Sequence, residues 1–228
     1  MADPNRALFE SVLDLLAPML DELVFVGGCT TGVLVTDPAA AGIRPTKDVD
    51  AIVDIATYAE YAALSDRLRA VGLVEDTSDG APLCRWRKGG LILDVMPTRE
   101  DILGFSNPWY ALAIDTAQHL DIGRHRARAV TPPLFIATKL VAFRSRGRGD
   151  IFASHDLEDI VTLIDGRPGV VDEVRQSNET VRTFIAGEIR ALLNNPDFAE
   201  ALAGFLLPDA ASQARRSILQ ERLAALAQ

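Results

Sequence analysis

The sequence has only two cysteines, Cys29 and Cys84, set far apart. That excludes a disulfide framework and any CxxC metal spacing, and it fits buried thiols in a cytoplasmic protein. Histidine is as scarce, and His119, His125 and His155 show no ligand spacing. No apolar run approaches the roughly 20 residues that a membrane span needs. The opening MADPNRALFESVLDLL mixes acids into its apolar residues with no basic segment ahead of them, unlike a secretory signal. Excess positive charge is missing too. With 32 acidic residues against 23 lysines and arginines, the net charge of -9 excludes a surface that coats nucleic acid indiscriminately.

What is present suffices for a real core. The 228 residues are 48% hydrophobic and 24% charged, which suits one large globular domain or a core with an appendage. The basic residues are concentrated. Arg124, His125, Arg126 and Arg128 form one group; Lys139, Arg144, Arg146 and Arg148 form another. Such patches in an acidic chain suit a phosphate-bearing ligand and serve equally well as solvated faces.

Periodicity predicts an amphipathic helix over residues 5–23, then an apolar strand, Leu23 to Val26, that stops at Gly27-Gly28. A short helix (Thr30 to Val35) and the loop TDPAAAGIRPT lead to a second strand, Val49 to Ile55. Thr57 and Glu60 form a capping box for a helix that ends before Gly72. CRWRK and LILDVMP flank Gly89-Gly90 as a hairpin, and HLDI and RARAV pair around Gly123. From Thr131, with Pro132 at the first helical position, the pattern turns helical. Ser154 caps a helix closed by Gly166, and further helices fill roughly 170–193, 197–206 and 209–227. The organisation is a mixed αβ part (1–130) and a helical part (131–228).

The chemistry lies in RPTKDVDAIVD, residues 44–54. Asp48 and Asp50 share one face of an apolar strand, about 7 Å apart along the chain. Carboxylates so placed repel unless something positive lies between them. Hard oxygen donors suit Mg²⁺ or Mn²⁺, which also prefers a substrate phosphate in its shell. Asp94, embedded in LILDVMP, completes a three-acid cluster if its strand is a neighbour. Such a cluster could hold two ions for in-line phosphoryl displacement, with Asp94 as ligand or as base for the attacking hydroxyl. Alternatively, Asp94 pairs with an arginine such as Arg85 or Arg87. The Gly27-Gly28 turn, ending a strand and opening a helix, brings backbone N–H groups within reach of phosphate oxygens. Asp54 lies about 13 Å beyond Asp50 and reads as a strand-end residue.

The series FVGG, DVD and LDV resembles the nucleotidyltransferases of the DNA polymerase β type, and the wider arrangement is similar to the AbiEii/AbiGii-like group, many of them toxins of type IV toxin–antitoxin pairs. The resemblance covers roughly residues 20–165. It implies an α+β fold with a mixed β-sheet core, flanking helices and a helical C-terminal region. It also implies transfer of a nucleoside monophosphate from an NTP to an acceptor hydroxyl, with two Mg²⁺ or Mn²⁺ ions on Asp48, Asp50 and Asp94. Gly27, Gly28 and Thr30 would cradle the triphosphate. KLVAFRSRGRGD and SHDLEDIVTLID stand where the family carries a basic helix and a downstream acid, which assigns nucleotide contacts to Lys139, Arg144 and Asp156, with Arg148 as a further candidate. Three acceptors are open: tRNA or another RNA 3′ end with a cognate antitoxin partner, a cationic small molecule of the aminoglycoside type, or a protein side chain. The reading from another class is a non-catalytic module that binds a partner protein on the same fold.

Overall fold

The computed structural model describes residues 3–40, 42–146 and 150–228. In chain order come α1 (Arg6–Leu16), a 3-10 segment (Ala17–Glu22), β1 (Leu23–Val26), a 3-10 turn (Gly28–Thr30), α2 (Thr31–Leu34) and β2 (Val49–Val53). Then follow α3 (Tyr58–Ala70), β3 (Val74–Glu75), β4 (Arg85–Lys88), β5 (Leu91–Pro97), α4 (Glu100–Leu103), α5 (Tyr110–Asp115), β6 (Gln118–Ile122) and β7 (His125–Ala129). The remainder is helical: α6 (Pro132–Arg146), α7 (His155–Gly166), α8 (Val170–Gln176), α9 (Glu179–Leu193), α10 (Pro196–Ala201), α11 (Ala210–Ala214) and α12 (Arg216–Leu226).

The chain divides into two compact units. One, Pro4–Thr30 with Pro45–Thr131, carries the sheet; the other takes Thr31–Arg44 and Pro132–Gln228 and is helical. The segment that links the glycine turn to Asp48 therefore groups with the helices.

The sheet unit is built on seven strands in the order β3-β4-β5-β2-β1-β7-β6. The β2–β5 and β1–β7 pairs are parallel and the others antiparallel, which makes the sheet mixed. All four residues of β1 are buried, as expected of a central strand covered on both faces. Phe9 of α1 packs edge-on against Phe25, with ring centroids 5.1 Å apart. The helix expected over 5–23 ends at Leu16. Pro18 follows at the start of the 3-10 segment, where its ring and missing N–H cannot continue an α-helix. The capping box is present: Thr57 accepts from Glu60 N while the Glu60 carboxylate accepts from Thr57 N. The Gly89-Gly90 hairpin turns with Gly89 at φ +57°. The two-residue β3, which carries no periodic signal of its own, pairs with the outer edge of β4.

In the helical unit, α7 is buried at nine of its positions. The span expected as one helix over 170–193 breaks after Gln176, because Asn178 accepts from Thr180 N and starts α9 afresh. The loop after α2 is pinned to the end of α7: Thr36 N and Asp37 N both donate to Gly166 O at 2.9 Å. A β-carbon on Gly166 would lie 2.7 Å from Val35 Cγ1, so only glycine allows this approach. Arg167 donates to Leu34 O (2.6 Å) and grips Glu173 with both arms. Arg215 binds the fully buried Asp165 through Nε, 2.9 Å from each oxygen, and Asp37 through Nη2 at 2.7 Å. No described helix is long and apolar enough to cross a membrane.

Candidate active site

Strand register decides which acids meet. Arg85 of β4 stands opposite Asp94 of β5, Asp94 opposite Asp50 of β2, and Asp50 opposite Val26 of β1. Directly paired residues project from the same face. One row therefore crosses four strands, and it ends beside the glycine turn. Asp48, just before β2, joins the row through Arg85, as described below.

The turn is fitted to the row. Gly27 has φ +74°, a conformation that L side chains rarely adopt. A β-carbon there would lie 2.6 Å from Cγ of Asp50, inside its carboxylate. Gly28 opens the buried 3-10 turn, whose hydrogen bonds run from Thr30 N (3.2 Å) and Thr30 Oγ1 (2.8 Å) to Gly27 O. Thr30 is fully buried, and its hydroxyl proton shapes the turn. The backbone N–H groups are then the part of the turn suited to a phosphate.

Like charges directly opposite in a sheet are unfavourable, and the structure supplies the compensating cation from within. Arg85 donates from Nε to Asp94 Oδ1 (2.8 Å) and from Nη2 to Asp94 Oδ2 (2.7 Å), a bidentate fork. The same Nη2 reaches Asp48 Oδ2 at 3.2 Å. The hydrogen bonds that it donates to Asp94 raise the pKa of the guanidinium above the ordinary arginine value, against partial burial. Asp94 is 7% exposed. Asp48 is held from its other side by Thr46 Oγ1 (2.8 Å), and Thr46 N donates to Oδ1 of the buried Asn5 (2.8 Å). Arg85 is thus the partner that the sequence pattern offered as an alternative for Asp94, and it touches Asp48 as well. Asn5 and Thr46 gave no sequence signal. Asp54 accepts from Thr98 Oγ1 at the strand end.

Among the described residues, no group of three or more acids, histidines or cysteines converges to hold one ion. The guanidinium between Asp94 and Asp48 is the physical reason. Asp48 and Asp50 carry hard oxygen donors of the kind that suits Mg²⁺ or Mn²⁺; Asp48 has both oxygens engaged, by Thr46 and Arg85, and Asp94 has both engaged by Arg85.

Cys84, next to Arg85, is buried, and burial followed by the charges of Asp94 and Asp50 pushes its thiol up to about 12. Cys29 is buried as well. We expect a thiol-reactive dye at pH 8 to label neither cysteine in the folded protein and both after denaturation, a reaction followed by absorbance.

The remaining candidates belong to the helical unit. Lys139 donates to Asp156 Oδ1 (2.9 Å) and pairs with Asp159 Oδ2 (2.7 Å). Arg44 binds Asp159 from Nη2 (3.0 Å) and Nε (3.3 Å). Burial disfavours the ammonium, but Asp159 and Asp156 outweigh it and raise the Lys139 pKa. Lys139 and Asp156 thus meet, and Asp159, which reads in the sequence only as a helix-dipole acid, is the buried hinge of the cluster. Arg144 stands apart, paired with Glu188 at 2.7 Å. Arg148 lies outside the described residues, as does the side chain of Arg146. In the other basic group, Arg124 pairs with Asp14 (2.9 Å) and Arg128 donates to the carbonyls of Asp21 and Ile114.

No protein-family model and no curated protein matches the sequence. Solved structures do. An antigenic nucleotidyltransferase-like protein from Paracoccidioides brasiliensis is similar at TM-score 0.52 and 21% identity, over 90% of this chain and 96% of that one. JHP933 from Helicobacter pylori is similar at TM-score 0.48 and 12% identity, over 98% of this chain and 90% of that one. With its mixed seven-stranded sheet and flanking helices, this chain has a nucleotidyltransferase-like fold.

Proposed function

We propose that the protein is a metal-dependent nucleotidyltransferase that moves a nucleoside monophosphate from an NTP to an acceptor hydroxyl and releases pyrophosphate. The observation that carries the reading is the position of Asp50, opposite Val26 and packed against Gly27, which sets its carboxylate beside the glycine turn. Asp48 and Asp50 would hold the divalent ion, which supplies neutralisation of triphosphate charge when bound. The Gly27-Gly28 backbone orients phosphate oxygens, and Thr30 fixes the turn that presents those N–H groups. Thr46 and Asn5 hold Asp48 in place. Asp94 anchors Arg85. Within the helical unit, Asp156 and Asp159 fix the Lys139 ammonium and Arg44 holds Asp159.

An RNA 3′ end is the first acceptor in this reading, as in a toxin-like enzyme with a cognate antitoxin, and an aminoglycoside-type molecule is the second. The pairing of Arg124 with Asp14 and of Arg144 with Glu188 leaves less unbalanced positive charge for RNA than the sequence suggests. A small cationic acceptor draws support from the net charge of -9.

The test mixes pure protein, Mg²⁺ or Mn²⁺ and each α-labelled NTP with total RNA or an aminoglycoside panel. We expect label in one acceptor class with at least one NTP, and none with Asp48→Ala. Failure with every NTP and every acceptor would remove the enzymatic reading. One feature favours a second reading, a non-catalytic partner-binding module: Arg85 lies where an acid cluster would hold a cation. Such a module would show no metal-dependent shift in melting temperature with any NTP.

A further inference from the structure

We propose that the free edge of β6 is a self-docking surface, on which a second copy of this chain pairs antiparallel and extends the sheet across a two-fold axis at Leu120. Among the described residues β6 ends the sheet, and its five residues pair with β7 in an unbroken register. The devices that usually blunt such an edge, a proline, a lysine or a bulge, are missing from QHLDI. The hairpin sets the direction of its backbone groups. The two-residue turn Gly123-Arg124 closes on the Ile122–His125 pair. Ile122, Leu120 and Gln118 therefore bond inward to β7, and His119 and Asp121 turn N–H and C=O outward. The β4–β5 hairpin of the same sheet follows this alternation: Val95 N donates to Cys84 O on its inner side and Asp76 N to Arg85 O on its outer side, each at 2.9 Å. There β3 lies along the outward groups of β4; among the described residues no strand does so for β6.

The side chains select the partner. His119 and Asp121 are exposed and share one face of the strand. On β7 they have Arg128 and Arg126 opposite them. An added antiparallel strand must set its own outward-bonding residues against these two. A second β6 centred on His119 would place imidazole against imidazole, and one centred on Asp121 would place carboxylate against carboxylate. Centred on Leu120, His119 meets the partner's Asp121 and Asp121 meets the partner's His119. Backbone bonds then form on both sides of the axis, and each side chain faces its complement. Such a contact is isologous and closes at two chains, whereas pairing of the β6 edge with the opposite edge at β3 would build an open fibre. A single short strand makes a small interface, so the dimer is a weak one.

The experiment is sedimentation velocity of the full chain at pH 7 from about 5 to 500 µM, which spans the affinities of weak interfaces. The wild type should pass from monomer to dimer within that range. His119→Asp and Asp121→Lys should each weaken dimerisation at least about tenfold, because like charges then stand opposite each other on both sides of the axis. An equimolar mixture of the two variants should return to within about threefold of the wild type. In the mixed pair the two introduced charges face each other, and one native contact between His119 and the partner's Asp121 is kept. Asp121→Pro removes an outward N–H, at an edge position where proline is tolerated. It should keep the wild-type circular dichroism spectrum and stay monomeric throughout; should it not fold, the two charge variants and their mixture decide alone. A monomeric wild type at every concentration would overturn the proposal and leave the edge to a strand from another protein. A dimer that persists in Asp121→Pro, a mixture that fails to recover, or association beyond two chains would overturn it as well. None of these outcomes bears on the nucleotidyltransferase reading.

Discussion

Gly27→Ala is expected to lose at least about a hundredfold in nucleotidyl transfer while the protein still folds. Two separate penalties coincide at this residue. The backbone sits at φ +74°, and a left-handed conformation costs a residue with a β-carbon roughly 1–2 kcal/mol. The new methyl would also lie 2.6 Å from Cγ of Asp50, so the carboxylate must move away or the turn must open. Displacing a reacting group by about 1 Å can cost a hundredfold in rate. The steric term falls on Asp50 itself, so Mn²⁺ affinity should drop along with the rate. Circular dichroism and Mn²⁺ titration separate this outcome from simple unfolding. Near wild-type transfer in Gly27→Ala would mean that the Asp50 carboxylate does not need its present position.

The largest loss of stability is expected from Arg215→Met. Asp165 is fully buried, and its carboxylate oxygens both accept from Arg215 Nε. Arg222 donates to the Asp165 carbonyl. Removing the guanidinium breaks a buried ion pair and takes both Arg215 hydrogen bonds from this carboxylate, which typically costs about 3–5 kcal/mol. For a chain of this size that is a drop in melting temperature on the order of 10 °C. The double variant Arg215→Met/Asp165→Leu should recover much of the loss, because the buried carboxylate is then removed along with its cation. Thermal melts of the single and double variants decide the matter. A single variant as stable as the wild type would show that Asp165 finds another partner or takes up a proton.

Local signals were legible because they are local. The capping box at Thr57, the Gly89-Gly90 turn and the apolar run ending at Gly27 each depend on residues within one or two turns of chain. The two acids of the DVD motif stood out for the same reason, as charges in an otherwise apolar strand. Register was not legible. That Asp94 pairs with Asp50 and not with a residue one step along depends on a parallel match between β2 and β5, which no short-range pattern encodes. Arg85 could be placed as a partner for Asp94, but its reach to Asp48 follows only from β4 lying on the other side of β5. Asp159 was misleading. The sequence suggests a first-turn acid that serves the helix dipole, but α7 starts at His155 with Asp156 and Glu158 in its first turn, and the burial of Asp159 against Lys139 and Arg44 depends on how α6 packs with α7. The break at Pro18 was written in the sequence, but an apolar period that runs through it suggests one helix instead of two segments.

The order of strands has a consequence for synthesis on the ribosome. Val26, Asp50, Arg85 and Asp94 all lie within the first hundred residues, so the acidic row can assemble before the last two strands emerge. Until β7 arrives to lie parallel with β1, however, the nascent sheet has an apolar strand of four buried residues at its rim. An unpaired rim of that kind invites pairing with another chain. Translational pausing that leaves β5 outside the ribosome and β7 still inside it should therefore expose the growing polypeptide to aggregation more than pausing after β7 has emerged.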